Sequence, residues 1–138
     1  RLAPKVFLSG PNLSGGLMDD SLRSGGYLPT TSPYSDNLTA NASVFNATGA
    51  NAIVDWVWIE LRDANDNTLV SPSKSAFLQR DGDVVDLDGT SSLTLNTPSK
   101  SFYVVINHRN HLAVMCTQLV NRIYLDLLLL YFFSKILS

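Results

Sequence analysis

The stretch NAIVDWVWIELRDANDN, residues 51–67, decides the fold of this chain. Residues 53–62 are rich in β-branched and aromatic side chains, which fit a pleated sheet well. The Asp and Asn cluster at 63–67 is typical of a turn that ends a strand. Every second residue at 57–61 is aliphatic, so one face of this segment is fully apolar. The pattern therefore predicts a strand that lies against a core.

Other short β-rich segments flank this strand. Residues 4–10 form an apolar run closed by Gly-Pro, residues 75–89 contain two short runs around the hairpin dipeptide Asp81-Gly82, and residues 101–108 alternate strongly. Strands at this spacing predict an all-β fold, and specifically an antiparallel β-sandwich. Its core should be filled by the alternating apolar side chains of the two strongest strands, namely Val57, Ile59, Leu61, Phe102, Val104 and Ile106.

Two segments in the first half of the chain depart from the strand pattern. Residues 14–26 combine a Ser, two acidic residues and a Gly-Gly stop, which predicts one short helix near the N-terminus. Residues 27–51 are rich in Pro, Ser, Thr, Asn and Ala. We expect them to form a long ordered connection with one short strand near residues 43–46, because long connections in small domains are usually packed as a layer or used for function.

The composition changes at residues 117–138, which contain neither Gly nor Pro and are dominated by Leu. The apolar core of this tail, residues 127–133, is far shorter than the ~18–20 residues that span a bilayer, so we expect no transmembrane span. Two interpretations stay open: a C-terminal helix packed on the sandwich, or an out-of-frame, non-native end. We therefore divide the chain into a β-sandwich module at 1–116 and a Leu-rich tail at 117–138.

Composition and charge exclude several classes of function. The formal net charge is -2 and the basic residues are scattered singly, so no surface is predicted that could neutralise nucleic-acid phosphates. The single cysteine excludes an internal disulfide and a Cys-rich zinc site. The sequence contains no G-x-S-x-G, no H-E-x-x-H and no Gly-rich phosphate loop, so no catalytic residue is predicted.

Three polar residues, His108, Arg109 and His111, lie at the end of the predicted strand at 101–108 or just after it. Two His residues three apart converge on a metal when they lie on a helix. At the end of a strand, however, side chains three apart should point to opposite faces. We therefore interpret these residues as a polar cluster at a strand exit. Zinc binding is the alternative, and it would need an Asp or Glu from elsewhere in the chain.

Trp56 and Trp58 lie two residues apart on the central strand, so their side chains should share a face. Such a pair could stack against a sugar if the face is open. Large aromatic side chains are usually buried, and we expect residues 11–50 to cover both indoles as part of the core. Carbohydrate binding through the two tryptophans is the alternative.

Four carboxylates, Asp81, Asp83, Asp86 and Asp88, are concentrated in a turn-rich segment. Oxygen ligands gathered from such turns could bind calcium. Asp in hairpin turns needs no metal to explain it, so we predict no cofactor and keep calcium as the alternative. A hydrolase that uses this cluster together with His108 is a further alternative, and it requires a concave pocket joining these residues.

Five strings in this order carry a family resemblance: KVFLSGP, GLMDDSLRSGGYLPTTSPY, NAIVDWVWIELRD, SAFLQRDGDVVDLDGTSSLTL and YVVINHRNHLAVM. Together they resemble a module of large secreted or cell-surface proteins of Bacteroidota bacteria, over roughly residues 2–115. In such proteins the module is typically followed by calcium-type repeats and a type IX secretion sorting domain. Beyond residue 115 the present chain departs from that pattern.

The resemblance implies an extracellular or cell-surface location and no established activity. Its strand pattern is similar to prealbumin-like and Ig-like sandwiches, including repeats that act as stalks or spacers, which is an analogy of fold alone. The implied partners are neighbouring domains of the same polypeptide, and in addition a glycan or a surface protein. We therefore expect a non-catalytic structural, adhesion or spacer module, with the carbohydrate-binding and hydrolase readings as alternatives.

Overall fold

The computed structural model describes residues 2–8, 15–66, 68, 70–95, 101–111, 113–115 and, as a backbone strand, 128–134. The strands are β1 (Leu2–Leu8), β2 (Ile53–Asp63), β3 (Val70–Gln79), β4 (Val84–Val85), β5 (Phe102–Asn107), β6 (Val114–Met115) and β7 (Leu128–Ser134). One short helix, α1 (Ser21–Ser24), and two 3-10 turns, Ala42–Asn46 and Gly49–Asn51, complete the secondary structure of these residues.

Strand β2 is the centre of a five-stranded antiparallel sheet with the order β4-β3-β2-β5-β6. On β2, Ile59 pairs with Lys74 of β3 on one side and with Ile106 of β5 on the other. The prediction of a mostly β chain with one short helix near the N-terminus is thereby confirmed. The hairpin at Asp81-Gly82 is also confirmed, because it joins the antiparallel strands β3 and β4. A closed sandwich of prealbumin-like or Ig-like type stays a prediction.

Strand β1 lies over the apolar face of this sheet. Its even-numbered residues are buried and its odd-numbered residues are half-buried, which is the period of two expected of a strand. The N–H groups of Leu2 and Val6 donate to the carbonyls of Leu93 and Gly82, at 3.0 and 2.8 Å. These bonds attach β1 to the segment around β4, so β1 is positioned by the five-stranded sheet.

The Leu-rich tail contributes β7, which pairs in parallel with β1 from Leu2↔Leu128 to Leu8↔Ser134. The expectation of a C-terminal helix is therefore wrong for Leu128–Ser134. A short continuous apolar run cannot be assigned to helix or strand by periodicity, and the unpaired edge of β1 supplies the backbone partners that favour a strand. The rest of the tail, residues 117–127 and 135–138, lies outside the described residues, and its out-of-frame origin stays a prediction.

The core between β1 and the sheet contains all the residues predicted to fill it. These side chains are at most 2% exposed and pack with Leu2, Val6 and Leu8 of β1 in one cluster. Full burial of one aliphatic or aromatic side chain is worth about 1.5–3 kcal/mol, so this cluster is a main source of stability. The members predicted from sequence are Val57, Ile59, Leu61, Phe102, Val104 and Ile106.

A second cluster covers the opposite face of β2 and β3. Trp56 and Phe77 lie at its centre, and the connection at residues 28–45 packs over them with Leu28, Tyr34, Val44 and Phe45. The short strand expected near residues 43–46 is wrong, because Ala42–Asn46 is a 3-10 turn. The side chain of Asn41 accepts a hydrogen bond from the Ser43 N–H and so caps the turn.

Gly82 tests how β1 docks on the β3–β4 turn. It has a φ of 93°, and a Cβ atom there would lie 2.8 Å from the ring of Phe7 and 2.9 Å from Cγ of Lys5. Gly49 is the matched control, because it has a φ of 76° and no atom within 4 Å of a built Cβ. Gly49→Ala should cost ~1 kcal/mol for the positive φ alone. Gly82→Ala should cost a further ~1–3 kcal/mol because β1 must shift.

Urea unfolding followed by tryptophan fluorescence measures both losses of stability. Equal losses for Gly82→Ala and Gly49→Ala would contradict the close docking of β1 on this turn.

A buried Asp–His–His chain as the candidate functional site

The candidate site begins with a carboxylate inside the central strand. Asp55 of β2 is 1% exposed, and all residues from 53 to 57 are buried. The pairing of β2 with β3 shifts register between Ile53 and Asp55, which marks a bulge or irregularity. Bulges re-aim side chains locally, and this part of β2 is covered on both faces. Asp55 must therefore find its partners within the protein.

Asp55 accepts hydrogen bonds from three groups. His108 Nε2 lies 2.8 Å from Oδ2, and Arg109 Nη2 lies 2.9 Å from both carboxylate oxygens. The backbone N–H of Trp56 donates to Oδ1 at 2.8 Å. Burial of a carboxylate is tolerated only with such paired charge and hydrogen bonds. These contacts tie β2 to the turn that follows β5.

His108 also contacts His111. The two Nδ1 atoms are 2.8 Å apart and the ring centroids are 4.8 Å apart. The expectation that these side chains point to opposite faces is wrong, since β5 ends at Asn107 and the chain then turns back. The His111 N–H donates to the His108 carbonyl at 3.0 Å and closes this turn. Once the strand has ended, its alternation no longer governs side-chain direction.

The partners fix which ring nitrogens carry protons. The Asp55 carboxylate accepts, so His108 must donate from Nε2 and keep Nδ1 as an acceptor. The Asn110 N–H, 3.3 Å from His108 Nδ1, fits this arrangement. His111 must then donate from Nδ1, which leaves a lone pair on its Nε2. That Nε2 is buried and has no hydrogen-bond partner.

Burial and charge shift the acid–base behaviour of two neighbouring groups. Burial, together with the nearby His108, lowers the pKa of His111 below its usual 6.5. Burial and the negative charge of Asp55 raise the pKa of Tyr34 to about 12. The Tyr34 hydroxyl therefore stays protonated at neutral pH, and it donates to the Trp56 carbonyl at 3.3 Å. Both shifts favour neutral side chains around the single Asp55–Arg109 ion pair.

The geometry of the Asp55–His108–His111 cluster differs from that of a metal centre. A zinc site needs lone pairs that converge on one point. His108 instead directs one ring nitrogen to Asp55 and the other to His111, on opposite sides of its ring. Among the residues with described side chains, no group of three His, Cys, Asp or Glu is arranged to hold a metal ion.

The two tryptophans occupy different environments. Trp56 is fully buried, packs on Phe77 at a centroid distance of 4.2 Å and donates from Nε1 to the Pro29 carbonyl at 2.9 Å. Its expected burial is confirmed, whereas the expectation that residues 11–50 also cover Trp58 as part of the core is wrong. Trp58 is half-buried; its ring lies 5.7 Å from that of Tyr34, and its Nε1 donates to Glu60 at 3.0 Å. Trp56 thus exposes no ring face to a ligand, and Trp58 exposes only part of its ring.

The four carboxylates at 81–88 are engaged separately. Hydrogen bonds from the Ser91 hydroxyl and from the Ser91 and Thr90 N–H groups lower the pKa of Asp88 to about 2. Such bonds are typical of Asx turns, which need no metal. Asp81 accepts a hydrogen bond from the Asp83 N–H at 3.0 Å. Asp83 forms an ion pair with Lys5 at 2.6 Å, and Asp86 forms one with Lys74 at 2.5 Å.

A groove of about 360 Å³ lies beside Asp83, between β1 and β4, and Ala3, Pro4, Gln79 and Ser92 contribute to its walls. The hydrolase alternative requires a pocket that joins the carboxylates to His108. His108 does not line this groove and packs against Asp55. The structure therefore separates the two halves of that hypothetical site.

Sequence reasoning missed Asp55, which connects the whole cluster. The one available signal was a lone carboxylate within the apolar string IVDWV, since a charge in a buried strand needs a partner. Tyr34 was missed because it lies in the long connection, far from β2 in sequence. The two basic partners, His108 and Arg109, were noticed without their acceptor.

Comparison with known protein families and with curated proteins finds no match for this chain. Within the part of the chain that the structure describes, no helix is long and apolar enough to cross a membrane.

Asp55→Asn tests the buried cluster. The amide carries no charge for Arg109 and offers one acceptor oxygen in place of two, so we expect a loss of ~2–4 kcal/mol in the free energy of unfolding. Asp66→Asn is the matched control. Asp66 is exposed and accepts from the Thr68 N–H at 3.1 Å, a turn contact that Asn also makes. Chemical denaturation of both variants measures the difference, and a loss below ~0.5 kcal/mol for Asp55→Asn would contradict the cluster.

Proposed function

We propose that this chain is a non-catalytic β-sandwich module of a larger secreted or surface-anchored bacterial protein, where it spaces or presents neighbouring domains. One observation carries this proposal: the side chains best suited to chemistry or binding are held by internal partners. Asp55 and His108 join β2 to the turn after β5, and Trp56 fills a core. These groups stabilise the module instead of facing a substrate.

The long connection is also fastened to the sheet. The carboxylate of Asp36 accepts from the backbone N–H of Ser75 at 2.8 Å and from its hydroxyl at 2.6 Å. The Ser75 hydroxyl in turn contacts Ser32 at 2.5 Å. Loops that determine binding specificity are often loosely attached. Asp36 instead attaches the long connection firmly to Ser75, near the middle of β3. A firmly attached connection suits a spacer, which must keep its shape.

The sandwich architecture is part of the proposal and has two supports. The two-stranded sheet of β1 and β7 supplies a second layer. Leu2, Val6 and Leu8 of β1 share one core with the five-stranded sheet. A core between two β layers is the feature that defines a sandwich.

The extracellular or cell-surface location rests on the resemblance to secreted Bacteroidota modules. Under this proposal the partners are flanking domains of the same polypeptide, with a glycan, a surface protein or calcium as ligands to be tested.

A thermal-shift screen of the full chain separates a spacer from a binding module. A ligand at 100 times its Kd stabilises the folded state by about 2.7 kcal/mol, which raises Tm by roughly 5 °C or more in a domain of this size. We expect calcium and a panel of oligosaccharides to leave Tm unchanged within about 1 °C. A saturable rise would contradict the purely structural role.

If an oligosaccharide raises Tm, two variants identify the residue that binds it. Trp58→Ala should abolish it if the carbohydrate-binding alternative is correct, because Trp58 is the tryptophan with an accessible surface. Tyr27→Ala is the matched control, since Tyr27 is a 76% exposed aromatic residue that lies outside the sheet. A rise lost in both variants would indicate non-specific stacking on aromatic side chains.

A further inference from the structure

The number of protons in the Asp55–His108–His111 chain is set by geometry. One proton lies between Asp55 and His108 Nε2, and one lies between the two Nδ1 atoms, which are 2.8 Å apart. A distance this short between two nitrogens requires a single shared proton, because two N–H groups facing each other would repel. The Asp55–His108–His111 chain therefore holds two imidazole protons, and each of its hydrogen bonds uses one of them.

A third proton has no favourable place. On His108 Nδ1 it would face the N–H groups of His111 and Asn110 and break the contact between the rings. On His111 Nε2 it would create a buried cation whose new N–H has no acceptor. Burial of an unpaired charged donor is costly, so the folded cluster resists protonation. An unfolded or opened turn has no such restriction.

The charged and titratable groups around the two rings come from three elements. Asp55 lies on β2, Arg109 lies in the same turn as the rings, and Tyr34 comes from the long connection. Arg109 stays charged at any relevant pH, and its ion pair with Asp55 already occupies both carboxylate oxygens. Asp55 therefore cannot fully compensate an added positive charge on the rings, and the extra proton falls on His111, whose Nε2 has no hydrogen-bond partner.

The turn at residues 108–111 leads directly into the edge of the sheet. Strand β6 has two register pairs with β5, Val105↔Met115 and Ile106↔Val114. An edge strand this short depends on the segments that anchor its ends. If the turn detaches from Asp55, the backbone of β6 loses its attachment on one side.

We propose that the Asp55–His108–His111 chain is an acid-sensitive latch, which holds the turn at 108–111 and strand β6 on the sheet at neutral pH and releases them when His111 takes up a third proton. The release is local, because the only two histidines of the sequence lie in this turn and the cores around Val57 and Trp56 are formed by apolar side chains. The latch would make the edge of the sheet available in acid and cover it at neutral pH.

The sign of the pH dependence follows from His111. Its pKa in the folded protein lies below the usual 6.5, so the opened state binds the extra proton first as the pH falls. The stabilisation is fully present above pH 6.5 and is lost progressively below it. For one imidazole, the equilibrium constant for opening can rise at most tenfold per pH unit, between the pKa of the opened state and the lower pKa of the folded state.

Hydrogen exchange of the full chain at pH 7.5 and 5.5, corrected for the intrinsic pH dependence of exchange, tests the latch. We expect protection of residues 108–111 and of β6 to fall measurably at pH 5.5, by up to about tenfold, while β2 and β3 keep theirs. His111→Asn places an amide N–H near the position of Nδ1 but cannot be protonated, so its protection should be the same at both values. An unchanged pH response in His111→Asn overturns the latch, as does an equal loss of protection in β2 and β3.

Nitrogen NMR of the imidazoles in the wild-type protein gives an independent answer that needs no variant. At pH 7.5 we expect His108 to be protonated on Nε2 and His111 on Nδ1. Titration of His111 with a midpoint at or above 6.5, or protonation of His111 on Nε2 at pH 7.5, overturns the proposal.

Discussion

The burial of β2 on both faces is the constraint on which the rest of the structure depends. One face packs against β1 and the other lies under the connection at residues 28–45. Because residues 53–57 are buried, every polar group in the first half of the strand needs an internal partner. Asp55 meets this requirement by recruiting the turn at 108–111, and Trp56 meets it by donating to Pro29. The candidate site is thus a consequence of how the core is covered.

The same requirement links stability to acid–base chemistry. A neutral pair of imidazoles is the cheapest way to extend the hydrogen bonds of a buried carboxylate, because only Asp55 and Arg109 then carry charge. The arrangement leaves one unpaired nitrogen on His111. Apolar residues in place of the two histidines would avoid the unpaired nitrogen, but the cluster would then no longer respond to protons. The cluster therefore combines a structural role with sensitivity to its environment.

Sequence patterns predicted the parts of the fold that depend on local order. Alternation at 57–61 and 102–106 identified two core strands, and Asp81-Gly82 identified the hairpin between β3 and β4. Sequence patterns predicted the wrong element where a contact with another group determines the backbone conformation. The Leu-rich run at Leu128–Ser134 is a strand because β1 offers an edge, and Ala42–Asn46 is a 3-10 turn because Asn41 caps it. The partner of β7 lies far away in sequence, and the Asn41 cap is a side-chain hydrogen bond that alternation of apolar residues does not record.

The sequence by itself determined a β-rich chain, its central strand and the side chains that form its main core, because these follow from a period of two and from residue type. Only the tertiary structure decided the candidate site. His108 and Arg109 meet Asp55 across more than fifty positions of sequence, and His111 joins them because the chain turns after Asn107. Contacts between distant segments depend on how strands pair and cores close, which no local pattern of residues encodes.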